Sequence, residues 1–107
     1  MSELFYAHLV PLDDSVALLD QYSLSDNERE TLEQTILSMY HHHIIDVIMQ
    51  NIALEHHDHI ISRIAENPHD LDIMIHIKLL NPQIEDHIMS AGKELDTRVR
   101  AMLHRKT

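Results

Sequence analysis

Ser25-Asp26-Asn27-Glu28-Arg29-Glu30-Thr31-Leu32 is the stretch whose reading decides the fold. Serine followed three residues later by glutamate is a capping box. The Ser25 hydroxyl accepts from the Glu28 amide and the Glu28 carboxylate accepts from the Ser25 amide, so two amides that a helix start leaves without partners are satisfied together. A helix therefore begins here. Beyond it Leu32, Ile36, Met39, Tyr40, His43 and Val47 recur at three- and four-residue spacing, and Leu37, Ile44, Ile45 and Ile48 widen the apolar stripe. This pattern predicts a long, heavily buried central helix that reaches Met49 and breaks at Gln50-Asn51.

Working outward, residues 55–66 read as a second helix with Ile60, Ile61 and Ile64 inward. Asn67-Pro68 and Asn81-Pro82 each pair an asparagine N-cap with a proline at the first helical position, where its missing N–H costs nothing. Helices are expected from them over 68–79, carrying the apolar Leu71, Met74, Ile75 and Ile77, and over 82–104, with Ile84, Ile88, Ala91, Leu95, Val99 and Met102 as the stripe. Upstream, Asp13 or Asp14 offers a cap for a short helix over 14–22 that turns Val16, Leu18 and Leu19 to one side. Residues 3–10 end at Pro11 and read equally as a short helix or a strand. Isoleucine-rich runs at 44–48 and 73–77 have strand propensity, but the flanking caps and the lack of hairpin turns favour helix. The expected fold is all-α, a compact bundle of four to five helices joined by short turns. It forms one helical domain over 1–107, with 1–24 an N-terminal segment and short helix and 25–107 the core helices.

With 107 residues the chain can bury a single core without staples. It has no cysteine, which removes disulfides, thiolate metal sites and a cysteine nucleophile, and its single glycine and three prolines leave little for phosphate-cradling loops. The formal charge of −10 is uneven: residues 1–77 hold fourteen acids against Arg29 and Arg63, while residues 78–107 hold six Lys or Arg against four acids. That balance argues against a direct nucleic-acid or anionic-membrane surface, as does the scarcity of aromatic rings, only Phe5, Tyr6, Tyr22 and Tyr40. Arg98, Arg100, Arg105 and Lys106 at the end are explained by the helix dipole. No basic n-region with a long apolar run opens the chain, and no run approaches a membrane span, so the expected location is cytoplasmic.

From Leu24 onward the layout resembles a family of small helical domains of unknown function found in small-genome bacteria. Leu24-Ser25-Asp26, Leu32, His43-Ile44, Ile52, Ile60, Ile64, Leu79 and Asn81-Pro82 carry the resemblance. The histidine density departs from that pattern, and Ala53 stands where such domains would offer a better cap. The resemblance implies a fold and no activity.

Eleven histidines are the most unusual feature of the composition. Helical neighbours four apart can share one metal ion, and His42 with Asp46, Glu55 with His59 and Asp72 with His76 have that spacing, while His56 and His59 are three apart. If the helices on either side of Asn51 pack antiparallel, His42, Asp46, Glu55 and His59 compose a four-ligand site for a divalent metal such as zinc. The plainer reading is that these are ordinary polar or half-buried side chains, His41, His43 and His57 lying on or beside apolar stripes; no His-Glu-x-x-His motif is present. Histidines beside so many carboxylates also imply sensitivity to pH between 7 and 5. Ser38, Ser62 and Ser90 lack a nucleophile context and paired acids such as Asp13-Asp14 and Glu85-Asp86 read as solvated faces or caps, so no enzyme is expected and no cofactor beyond that metal. The favoured expectation is a helical protein–protein interaction module that self-associates, with the apolar excess of 32–49, through Met39, Tyr40, Ile44 and Ile48, forming a two-fold interface. A monomer with a central helix is its plain alternative. A third class is an acidic inhibitor that imitates nucleic acid in the basic groove of an enzyme, with Asp13, Asp14, Asp20, Asp26, Glu28, Glu30 and Glu33 as its face.

Overall fold

In the computed structural model, which describes residues 4–106, the chain forms five helices and no strand among those residues. They are α1 (Leu12–Ala17), α2 (Asp26–Gln50), α3 (His57–Glu66), α4 (Asp72–Leu80) and α5 (Ile84–Lys106), with 3-10 turns at Ala7–Leu9, Leu18–Gln21 and Leu54–His56. The capping box forms as expected: Glu28 N donates to Ser25 Oγ at 3.2 Å and Ser25 N to Glu28 Oε1 at 3.1 Å. Those bonds favour the ionised Glu28 carboxylate and hold it below its ordinary pKa. At 1.5 Å per residue α2 is about 37 Å long. It sets the 45 Å long axis of the molecule, whose other extents are 24 and 20 Å.

The principal interface is α2 against α5. Leu32, Ile36, Tyr40, Ile44 and Ile48 supply one side of it; Ile84, Ile88, Ala91, Leu95, Val99 and Leu103 belong to the same core. A strict four-residue row advances about 40° around a helix at each step. The α2 row therefore winds, and Leu37, Met39, Ile45, Val47 and Met49 flank it, half-buried against that core. The breadth of the stripe is thus explained within one chain. Of the residues expected at a dimer interface, Tyr40, Ile44 and Ile48 are wholly buried in the chain's own core, and Met39 packs half-buried against its edge.

The N-terminal segment is neither strand nor α-helix over its described residues. It makes a turn and then the 3-10 turn at Ala7–Leu9, and it docks by Phe5 N donating to Pro68 O at 2.9 Å. Phe5 and Tyr6 are fully buried, their rings edge to face at 5.1 Å. Gly92 lets α5 meet this segment, because a Cβ there would lie 2.7 Å from Val10 Cγ1 and 3.1 Å from Pro11 Cδ.

Several helix starts differ from expectation, each for a local reason. Helix α1 begins at Leu12 with Pro11 at the cap position and no side-chain cap; Asp13 and Asp14 instead sit in its first turn, where the dipole favours them. Asn67 and Asn81 do not cap α4 and α5. Their side-chain oxygens accept from the amides two residues on, His69 at 3.1 Å and Gln83 at 3.0 Å, folding Asx turns that delay the helices to Asp72 and Ile84. In α3 Ile60 and Ile64 are buried but Ile61 is 47% exposed, and at the end of α5 Leu103 rather than Met102 completes the core.

One polar group crosses the core. Tyr40 Oη lies 2.7 Å from Ser15 Oγ, Ser15 Oγ donates to Asp96 Oδ1 at 2.8 Å, and Arg100 Nε donates to Asp96 Oδ2 at 3.0 Å. Ser15 is fully buried, so α1, α2 and α5 are tied through one hydroxyl.

Candidate functional site

Residues 71–80 are apolar at all but three positions, so this short stretch has more than one greasy side. Ile73, Met74 and Ile77 fill the core and fix the rotation of α4. Leu71, at the helix start, and Ile75 and Leu79 then point the other way and are 63, 59 and 79% exposed, so the four apolar residues read from the sequence divide between core and surface. At 100° per residue the three span an arc of about 80°. Beside this row lies a hollow of about 600 Å³ lined by Leu4, Phe5, Leu71, Met74 and Ile75, with His8, His69, Lys78 and Glu85 around it. Lys78 Nζ and Glu85 Oε1 are paired at 3.1 Å. A contiguous exposed apolar row is one physical mark of a binding surface. Its signal in the sequence was the four-residue spacing of 71, 75 and 79; of these, Leu79 entered only through the resemblance.

The expected metal ligands are not gathered. Among the described residues no three His, Asp or Glu side chains come together as a metal ion needs. His42 and Asp46 are exposed on α2, Glu55 lies in the 3-10 turn, and α3 packs against α4 rather than back along α2, so the hairpin the site required does not close. His57 Nε2 bonds the Ile52 carbonyl oxygen at 3.0 Å and so helps hold the redirecting turn. His59 instead meets His76, ring centroids 5.4 Å apart. Arg63 Nη1 donates to His76 Nδ1 at 3.0 Å, and Arg63 Nη2 reaches Asp70 Oδ2 at 3.4 Å. A guanidinium bonded to that imidazole opposes a second cation there.

The same arrangement makes stability depend on pH. Burial, then Arg63, His59 and His56, hold His76 below the ordinary histidine pKa; burial, then His42, do the same for His41, whose Nδ1 lies 3.3 Å from Tyr6 Oη. Burial conversely raises the Tyr6 phenol, so it stays protonated. With folded histidine pKa values depressed, the unfolded chain binds more protons, and stability rises with pH. The contribution is complete above the unfolded value of about 6.5 and is lost as pH falls through it towards the folded values. Denaturant midpoints measured from pH 7.5 to 5 should fall, and His41→Gln should flatten the curve more than His76→Gln, because His76 is the better screened by solvent. A curve equally steep in both variants would remove these groups as its cause.

The acidic face is partly engaged. Asp20 pairs with Arg29 and Glu28 serves the capping box, while Asp13, Asp14, Asp26 and Glu30 are exposed and Glu33 is half-buried. No helix of the described residues is long and apolar enough to cross a membrane. In comparison with known proteins, no family model, no curated protein and no solved structure matches the chain.

Proposed function

We propose that this chain is a small acidic interaction module, without catalysis, that associates with a second copy of itself through the outward row of α4. The observation that carries this reading is the exposure of Leu71, Ile75 and Leu79 along one line. A two-fold contact needs one surface that offers both ridge and hollow, and here ridge and hollow share Leu71 and Ile75. Charge permits the same partner. Two molecules of net charge −10 repel, whereas α4 carries one acid, Asp72, and one base, Lys78, so the row itself adds no net charge to that repulsion. The resemblance to small helical domains of small-genome bacteria belongs to the same proposal and adds a fold without an activity.

Sedimentation equilibrium over a wide concentration range tests it. The unaltered chain is expected to gain mass with concentration, and Ile75→Glu to raise the dissociation constant by about tenfold or more, since a charge is then buried at the contact. Leu54→Glu, at an 81% exposed position outside α4, is the matched control and should associate as before. A chain that stays monomeric throughout, or an Ile75→Glu variant that associates unchanged, ends the reading.

A further inference from the structure

A second surface, which meets the hollow beside α4 at Leu4 and His69, lies between the N-terminal segment and α2. It is an open trough of about 910 Å³ whose apolar lining includes Val10, Leu12 and Leu37. Asp13 and Asp14 stand at its edge in the first turn of α1, both exposed, with no ion-pair partner among the described residues. The other ionisable groups in the lining are His41, His42 and His69, so no permanent cation offsets the two carboxylates. A shallower depression shares Ser38 and His42 with the trough and continues along α2 to Glu30. From Glu30 to His42 the combined trough follows α2 for about 18 Å, the length of roughly a dozen helical residues.

We propose that this trough docks a basic, amphipathic peptide segment of a partner protein, apolar side chains seated over Val10, Leu12 and Leu37 and Lys or Arg facing Asp13 and Asp14. The volume and openness suit a chain segment rather than an enclosed small molecule. An amphipathic helix laid into an apolar groove is an established mode of recognition, with the rim charges choosing the partner. An anionic ligand or a nucleic acid is repelled by the same carboxylates and by the net charge of −10. A second copy, itself of net charge −10, meets the same repulsion at this trough. This site does not depend on association through α4.

Fluorescence anisotropy on the full chain decides it, with a labelled amphipathic leucine-lysine peptide of about twelve residues. Probes of the same length that replace lysine by glutamate, or leucine by serine, are the comparisons. Binding of the first probe alone is expected, weakened about tenfold by the double variant Asp13→Asn with Asp14→Asn. The double variant Asp58→Asn with Glu66→Gln, which removes the same charge from the exposed side of α3, should bind as the unaltered chain does. Amide shifts on titration should fall within residues 10–14 and 30–42, which the hollow beside α4 does not include. Equal weakening in both double variants, equal binding of the serine-lysine peptide, absence of binding, or the same amide shifts on self-concentration without peptide would each overturn the proposal; the last assigns the trough to a second copy.

Discussion

Ile44→Ala is expected to lower the unfolding free energy by about 2–5 kcal/mol, the range for removing a buried isoleucine whose surroundings close only partly over the gap. Ile44 is wholly buried in the middle of the α2 row, with Tyr40 before it and Ile48 after, each also at zero exposure. Its neighbours cannot move in independently, because both belong to the row packed in the core against α5. The loss should be the same at every protein concentration, as measured by urea unfolding with an unchanged slope. That distinguishes a core position from an interface, where the cost would shrink on dilution as both proteins dissociate. A small loss that depends on concentration would restore Ile44 to a contact between subunits and undo the packing described for α2.

What could be read from residues alone was what is local. The box at Ser25 and Glu28 and the stripes of α2 and α5 involve neighbours within a turn or a regular spacing, and both long helices appear nearly where expected. Helix α4 was found but not its rotation: where almost every residue from Leu71 to Leu80 is apolar, periodicity carries no direction, and only the tertiary contacts of Ile73, Met74 and Ile77 choose one. Asn67-Pro68 was ambiguous for a related reason, since the same pair begins a helix or folds an Asx turn. The bond from Phe5 to the Pro68 carbonyl shows a distant segment docked on that turn. For the metal quartet, spacing encodes the pairs and not their meeting. Four-residue intervals place His42 with Asp46 and Glu55 with His59, but whether two helices converge depends on the angle after Asn51. The trough was invisible because residues 4–14 and α2 form it together.

Ser15→Ala shows how much the fold rests on a residue that looked like any other serine. Its partners are 25 and 81 positions away. A hydroxyl has one proton, so with Ser15 donating to Asp96, Tyr40 is the donor to Ser15, and the chain of donors ends on a carboxylate held also by Arg100. Alanine leaves the buried Tyr40 hydroxyl without its acceptor, at a cost of about 1–3 kcal/mol. Burial already raises the Tyr40 pKa, with Ser15 the chief opposing influence, so loss of the hydroxyl does not ionise the phenol but leaves it protonated and unpaired. Tyr40→Phe with Ser15→Ala removes donor and acceptor together and should therefore cost less than the two single changes added. A double-mutant cycle on unfolding free energies measures that difference as a coupling of about 0.5–3 kcal/mol. Strict additivity would mean that the hydroxyls satisfy themselves independently, and that α1 is held to α2 by its apolar side chains alone.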